Sequence, residues 1–266
     1  MTIVVLKLGE NMKKGTRIQL VNMAVANLLM AAFYPILILE DRLNIPFEGT
    51  EAWCKVESFI AVSAVHASPL SAAAISLERV IIIFYPFRAK LYRKQHKYAV
   101  VGMIWICAAV PQVVIVNAGR LVEDTAGNRF CVMGKALPLQ VYEWILTTRY
   151  VLPSIIIAVS YSLIFIKLCE RKKSLIASSS SNQNNQSISK LQVMLAVDTF
   201  LTLVTWLPHA IHTSVTAAKK DNTPSGIVEL SSKDFVLEGC LSALVCTNAF
   251  STPIVYMIFN KHFRVS

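Results

Sequence analysis

Two adjacent charged residues, Glu78 and Arg79, interrupt a long apolar part of the sequence. Ser58–Leu77, which has no formal charge, precedes the pair, and the apolar segment Val80–Phe87 follows it. An arginine keeps its charge in a protein, so Arg79 needs hydrogen-bond acceptors from Glu78 or from neighbouring helices. If two helix arrangements offer different acceptors, Arg79 becomes part of a two-state switch. The alternative is an ion pair at a membrane interface, with side chains that extend towards water.

The composition indicates where such a switch would lie. Of the 266 residues, 55% are hydrophobic and 16% are charged, whereas soluble domains carry about 25% charged residues. Six runs without formal charge are each about long enough to cross a bilayer as a helix, which pairs its own backbone groups in lipid. The runs are Ile18–Leu39, Ser58–Leu77, Tyr98–Gly119, Tyr150–Ile166, Thr199–Ala218 and Gly239–Asn260. The predicted fold class is therefore all-α, a transmembrane helical bundle with six spans.

The charge distribution predicts the orientation of this bundle. With six spans, both termini lie on one side, which comprises residues 1–17, 86–97, 167–190 and 261–266. That side has 16 Lys and Arg and two acids, whereas the opposite loops have 8 basic and 11 acidic residues. Basic loops face the cytoplasm, so the C-terminus is predicted to be cytoplasmic, and the net charge of +10 needs no nucleic-acid partner. Residues 174–189, rich in Ser, Asn and Gln, are predicted to form a flexible cytoplasmic loop.

Prolines and cysteines add two constraints. Each predicted span contains one proline, which would kink its helix around an internal cavity, although membrane helices also tolerate incidental prolines. These prolines are Pro35, Pro69, Pro111, Pro153, Pro208 and Pro253. Cys54, at the outer mouth of the second span, and Cys131, in the second outer loop, both face an oxidising compartment, which permits a disulfide between them.

The order and spacing of these motifs resemble the rhodopsin-like (class A) G-protein-coupled receptors. Arg79, for example, follows Cys54 by 25 residues. The matching positions are Asn22–Leu29, Cys54, Glu78, Arg79, Pro86, Trp105, Pro111, Pro153, Tyr161, Thr205–Pro208, Pro253–Tyr256 and Phe263. The similarity covers residues 1–266 as one domain, including a short amphipathic helix after the last span. The family's first helix is absent, and Met1–Leu6 resembles its end, which predicts either a truncated chain or a short isoform.

The resemblance implies roles for individual residues. Glu78 would help to hold the inactive state, and Arg79 would contact the G protein in the active state. Tyr161 and Tyr256 match tyrosines that swing inward on activation. The remaining matches are Trp206 at the floor of the ligand pocket, Pro208 at the kink of the sixth helix, Pro253 in the motif with Tyr256, Cys54 and Cys131 in the family disulfide, and Phe263 as an anchor of the amphipathic helix.

Several positions depart from the family pattern. Asn27 stands where the family has Asp, and Thr252 stands where it has Asn; both belong to the family's sodium pocket, so sodium binding is expected to be weak or absent. Thr202 replaces a usual Phe. Asp198 is an unusual acid, which could give Arg79 or a nearby Lys a second partner or could face a water-filled cavity.

The resemblance also restricts the ligand. Ala61 stands where receptors for amines carry an Asp, and the last span has no lysine that could hold retinal, so no cofactor is expected. The outer half offers Glu57, Arg149, His209 and His212. Arg149 could bind a ligand carboxylate with two hydrogen bonds, or it could pair internally with Glu57. Both histidines could equally be core residues. The segments Tyr150–Pro153 and Glu78–Pro86 resemble neuropeptide receptors.

The predicted function is a plasma-membrane receptor that passes an extracellular ligand signal, in particular that of a neuropeptide, to a heterotrimeric G protein. One alternative is a membrane transporter or channel, although the repeated halves of such proteins are not evident. Another is a truncated receptor fragment that does not signal. An enzyme is not expected, because no catalytic triad, zinc-ligand or phosphate-loop pattern appears.

Overall fold

A computed structural model describes residues 14–43, 49–87, 94–117, 120–123, 127, 129–132, 139–177, 196–197, 200–216 and 232–259. Within this part the predicted helical bundle is confirmed. Its helices are α1 (Lys14–Leu43), α2 (Glu51–Phe84), α3 (Lys94–Asn117), α4 (Leu139–Leu146), α5 (Leu152–Ala177), α6 (residues 200–216) and α7 (Ser232–Phe259). A π-helical turn, Thr147–Val151, joins α4 directly to α5.

The predicted spans coincide with these helices. Every described residue of the six charge-free runs is helical. In the described part, four helical stretches are long and apolar enough to cross a membrane. They are Ile18–Leu37, Glu51–Phe84, Gln95–Asn117 and Trp144–Glu170. The crossing of the membrane by α6 and α7 stays a prediction.

Helix α2 is the centre of the bundle. In its most apolar window 72% of the residues are buried, against 39% or fewer in the other three membrane-length helices. Most of its buried residues are Ala or Ser, and such small side chains let neighbouring helices approach closely. Cys54 lies near the N-terminal end of α2, called the outer end below after the predicted orientation, and Arg79 lies near its C-terminal end, called the inner end. The two residues are separated by about 38 Å, since an α-helix rises 1.5 Å per residue.

A polar network fixes α1, α2 and α3 against one another. Asn22 Nδ2 donates a hydrogen bond to Ser71 Oγ at 2.8 Å, and Trp105 Nε1 donates to Asn22 Oδ1 at 2.8 Å. Ser71 Oγ donates in turn to the carbonyl oxygen of Ala67 at 2.7 Å. A buried network of this kind resists sliding of the helices, because any shift would leave polar groups without partners.

The π-helical turn has a local cause in the sequence. The backbone N–H of Leu152 bonds to the carbonyl oxygen of Thr147, five residues earlier. Pro153 has no N–H that could bond to the carbonyl of Arg149, and its ring would crowd that carbonyl in a regular helix. A wider turn before the proline relieves this crowding. The extra residue sets the directions of Arg149 and Tyr150, two side chains of the candidate site.

An antiparallel hairpin lies between α3 and α4 and adds a small sheet to the predicted all-helical fold. Its strands are β1 (Arg120–Glu123) and β2 (Arg129–Val132), and Leu121 faces Cys131 in the register. Gly127, between the strands, has a φ of +82°, which glycine adopts without strain. Cys131 forms a disulfide with Cys54, so the predicted disulfide is confirmed and ties the hairpin to the outer end of α2.

Some predictions fall elsewhere in the chain. Met1–Leu6, Asp198 and Phe263 lie outside the described residues, as do residues 178–189 of the predicted flexible loop. The first four residues of that loop, 174–177, are helical and belong to α5. These residues extend α5, since Leu175, Ile176 and Ala177 continue the helix without a Gly or Pro that would end it, and the flexibility of the loop stays a prediction.

Candidate functional site

Glu78 and Arg79 point in different directions from the inner end of α2. Successive residues of an α-helix are turned by about 100° around its axis. Arg79 is only 7% exposed, whereas the Glu78 carboxylate forms an ion pair with Nζ of Lys97 on α3. The ion pair described for Glu78 is therefore with Lys97 rather than with the adjacent arginine. The sequence did not indicate this role for Lys97, because its position in a basic segment predicts only a lysine facing lipid head groups.

Tyr161 lies where three helices meet. It packs against a cluster that includes Ala72 of α2 and Ile157 of its own helix, together with Leu203 of α6. The side chain is half-buried. Any displacement of α6 relative to α2 would change the packing around Tyr161.

The other predicted switch residues lie in α6 and α7. Pro208 is exposed and lies within α6. Thr252, Pro253 and Tyr256 are helical residues of α7, and their side chains lie outside the described part. The predicted roles of these four residues stay predictions.

Trp206 lies in a core cluster that joins α1, α2, α6, α7 and the α4–α5 segment. Its ring centroid is 5.4 Å from that of Tyr150, and the Tyr150 hydroxyl lies 3.5 Å from Nδ1 of His209. The cluster comprises Met30, Ala64, Val65, Leu146, Tyr150, Trp206, Ala210 and Val245. Trp206 is 3% exposed, and its role as the floor of a ligand pocket stays a prediction. Tyr150 was not among the predicted ligand-binding candidates, although Pro153, three residues later, indicates irregular helix geometry there.

Cys54, Glu57 and Ala61 lie along one face of α2, because residues three and four apart are neighbours on a helix. All three are buried. Ala61 offers only a methyl group, which cannot pair with the ammonium group of an amine. Glu57 lies one turn from the disulfide, close to the outer end of the bundle.

Arg149 projects from the π-helical turn towards α3. Its Nη2 donates to Oε1 of Gln112 at 3.4 Å, and its guanidinium carbon lies 5.8 Å from the centre of the Tyr150 ring. Among the described residues it has no ion pair, so the alternative pairing with Glu57 is not formed. Gln112 is an additional site residue. The sequence did not indicate it, because a single neutral polar residue in an apolar run does not predict a particular contact.

The two histidines of α6 have different surroundings. His209 is 6% exposed and adjoins Tyr150, as described above. His212, one turn further out, is half-buried, and within the described part its Nδ1 has no hydrogen-bond partner.

Asn27 and Thr202, two of the positions that depart from the family pattern, form hydrogen bonds between helices. Asn27 is fully buried, and its Oδ1 accepts a hydrogen bond from Ser68 Oγ at 2.7 Å. Thr202 Oγ1 donates to Asn248 Oδ1 at 3.1 Å, which links α6 to α7. The asparagine at position 27 is thus engaged in a direct bond between α1 and α2.

The geometry contains an outer polar region and an inner one, with packed aromatic core between them. The outer region comprises Glu57, Arg149, His209 and His212, and the inner one comprises Glu78, Arg79 and Lys97. A ligand in the outer region can affect the inner region only by favouring one packing of the intervening core over another. Such an arrangement can bind a ligand in the outer region and transmit the effect of binding to the inner region.

Comparison with known proteins gives consistent similarities. The family model described as "7 transmembrane receptor (rhodopsin family)" matches residues 1–256. Growth hormone secretagogue receptor type 1 of Sus scrofa is 29% identical over 279 residues, which cover 100% of this chain and 74% of that protein. The receptor of the same name from Homo sapiens is 28% identical over 279 residues with the same coverage. Galanin receptor type 2 of Mus musculus is 25% identical over 274 residues, which cover 97% of this chain and 69% of that receptor.

Proposed function

This chain belongs to the rhodopsin family of seven-transmembrane receptors, and we propose that an extracellular peptide is the signal that it passes to a heterotrimeric G protein. As a member of that family it is a multi-pass membrane protein and a G-protein-coupled receptor. The similar proteins named above are receptors for growth hormone secretagogues and for galanin, which supports a peptide ligand. The alanine at position 61 also supports it, since an amine would lack its counter-charge there.

One observation carries the coupling part of this proposal: Arg79, a permanent charge, is 7% exposed at the inner end of the most buried helix. Burial of a charged group is costly and is typical of functional positions in membrane proteins. Exchange of the partners of Arg79 between two packings of the bundle would couple the outer ligand region to a cytoplasmic protein. Tyr161, at the junction of α2, α5 and α6, and Trp206, in the core above it, are the residues through which the packing would change.

The orientation belongs to the same proposal. The basic side of the chain, with its C-terminus, faces the cytoplasm, and the disulfide-bonded hairpin faces the outside. Support comes from the excess of Lys and Arg on one side and from the disulfide between Cys54 and Cys131, which requires an oxidising compartment.

The direct test is nucleotide exchange on a purified G protein. The chain would be reconstituted in lipid nanodiscs with heterotrimeric G proteins and exposed to a library of synthetic neuropeptides or, as a comparison, to biogenic amines. The expected result is exchange that depends on a peptide and not on an amine. Solute uptake or ion current without nucleotide exchange would contradict the proposal and favour a transporter.

We expect Lys97→Met to lower ligand-independent nucleotide exchange by about fivefold, the lower end of usual allosteric coupling. In the wild type, Lys97 binds the Glu78 carboxylate. Without this ammonium group the largely buried carboxylate needs another cation, and the adjacent Arg79 can supply it, which would favour the inactive arrangement. The measurement is the basal exchange rate at equal amounts of receptor.

Lys167→Met is the matched control for Lys97→Met. Lys167 forms an ion pair with Glu170 at 2.8 Å, but both side chains are substantially exposed, so their interaction contributes little. Basal exchange should therefore be unchanged in this variant. An unchanged or increased basal rate in Lys97→Met would show that Glu78 does not turn to Arg79.

Sodium is expected to have little effect on this receptor. Agonist potency in sodium chloride and in N-methylglucamine chloride should differ by less than about twofold, because a neutral Asn27 offers no charge attraction to the ion. Asn27→Asp is the complementary variant, in which sodium should lower agonist potency. Strong sodium sensitivity of the wild type would contradict the expectation.

A further inference from the structure

We propose that the bundle contains a carboxylate-binding site formed by Arg149 of the π-helical turn and Gln112 of α3. The inference rests on the proposed function, since it names the chemical group by which a ligand of this receptor is held. Its basis is a set of buried polar atoms that lack partners around one uncompensated positive charge.

Two N–H donors at this site lack acceptors. Gln112 is fully buried, and its Oε1 accepts the bond from Arg149 Nη2. Its Nε2 and the Nε of Arg149 are both buried, and neither has a hydrogen-bond partner in the described part of the chain. Buried donors are nearly always paired in native proteins, because an unpaired one has lost its water without replacement. The pair of donors therefore indicates a missing acceptor.

The positive charge of Arg149 also lacks a counter-ion within the described part of the chain. None of the ion pairs described there includes its guanidinium. Its other described contact is with the ring of Tyr150, whose centre lies 5.8 Å from the guanidinium carbon.

A carboxylate fits these donors better than a neutral acceptor does. Its two oxygens match the planar fork of a guanidinium, and charge-assisted bonds of this kind are stronger than neutral ones. The amide of Gln112 holds the guanidinium from one side and offers a donor of its own to the same anion. Arg149 is half-buried rather than enclosed, so an occupant can reach it. The carboxylate can be the C-terminus of a peptide or an Asp or Glu side chain, which present the same two oxygens.

The first test uses butyrate as the probe and needs no identified ligand. Thermal unfolding of the purified receptor would be followed with sodium butyrate, with neutral butyramide or with sodium chloride, all at one ionic strength. The expected result is a higher unfolding temperature with butyrate than with the other two, since a molecule that binds only the folded state stabilises it. Equal unfolding temperatures in the three solutions would overturn the proposal.

Three variants assign the effect to the site. Arg149→Gln should remove the difference between butyrate and butyramide, whereas Arg129→Gln, a change at an exposed arginine of β2, should retain it. Gln112→Glu is the second site variant in case Arg149→Gln folds poorly. It places an internal carboxylate beside Arg149, so it should fold, be at least as stable as the wild type without butyrate, and no longer respond to butyrate. A persistent butyrate effect in either site variant would overturn the proposal.

The second test uses peptides and separates the two sources of the carboxylate. An active peptide from the library would be remade as its C-terminal amide and, separately, with Asn or Gln in place of Asp or Glu. One of these changes should lower potency about tenfold or more on the wild type, as loss of a charge-assisted pair does, and should have no effect on Arg149→Gln. Full potency of every carboxylate-free peptide would overturn the proposal. If no peptide activates the receptor but butyrate stabilises it through Arg149, the peptide proposal fails and the carboxylate site stands.

Discussion

Arg79→Ala is expected to reduce ligand-dependent nucleotide exchange at least about tenfold, because each hydrogen bond to a charged group is worth about 1.5–3 kcal/mol and about 1.4 kcal/mol changes an equilibrium tenfold. The reason is the position of the residue. Arg79 is buried at the inner end of α2, the helix that also carries the disulfide to the outer hairpin. The methyl group of alanine cannot donate hydrogen bonds to either set of acceptors, so ligand binding would no longer change the inner face of the bundle.

The expected signature of Arg79→Ala is a loss of exchange with ligand binding retained, since Glu57 of the outer polar region is about 33 Å away along α2. Surface amount and unfolding temperature would be measured alongside exchange, so that misfolding is recognised. Two variants serve as controls. Arg79→Lys keeps the charge but not the planar fork of donors, and should recover only part of the signal. Arg129→Ala changes an exposed arginine of the hairpin and should signal normally. Wild-type exchange by Arg79→Ala would refute the proposed role.

The helices could be predicted because lipid leaves few alternatives to a continuous helix. The charge-free runs locate every helix of the bundle except the short α4, which precedes the fourth run. They also understate α2, which begins at Glu51 and ends at Phe84. Charged residues such as Lys55 and Glu78 are included, because they reach solvent or a partner helix without ending the helix. The hairpin was harder to predict: its two strands have four residues each, and the only strong signal between them is Gly127.

Residues of the candidate site could be named from the sequence, but their partners could not. The spacing identified Arg79, Trp206 and the two disulfide cysteines, and only the last pairing is a contact that the structure confirms. The partner of Glu78 depends on how α2 and α3 are rotated about their axes. The partner of Arg149 depends on the extra residue in the π-helical turn. Neither rotation nor helix widening is visible in a pattern of apolar residues, because both are settled by packing between distant parts of the chain.

Cys54→Ser is expected to lower both the amount of receptor at the cell surface and its ligand binding. The disulfide joins positions that are 77 residues apart in the sequence and ties β2 to the outer end of α2. Its removal frees the hairpin from the helix that carries Glu57 and Ala61. Loss of a native disulfide costs about 2–5 kcal/mol in small secreted domains, which is a large part of the usual stability of a folded protein. Surface labelling of an epitope-tagged receptor and peptide binding to intact cells would measure the two effects.

Three further variants separate the effect of losing the disulfide from the effect of the Cys-to-Ser change itself. Cys131→Ser breaks the same bond from the hairpin side, so it should match Cys54→Ser, and the double variant should be no worse than either, because one shared interaction can be lost only once. Cys107→Ser is the control for the substitution type, since Cys107 is an exposed free cysteine of α3 and its variant should reach the surface and bind normally. If Cys54→Ser bound ligand like the wild type, the hairpin would not need its covalent tie, and the outer binding region would have to be held by the helices alone.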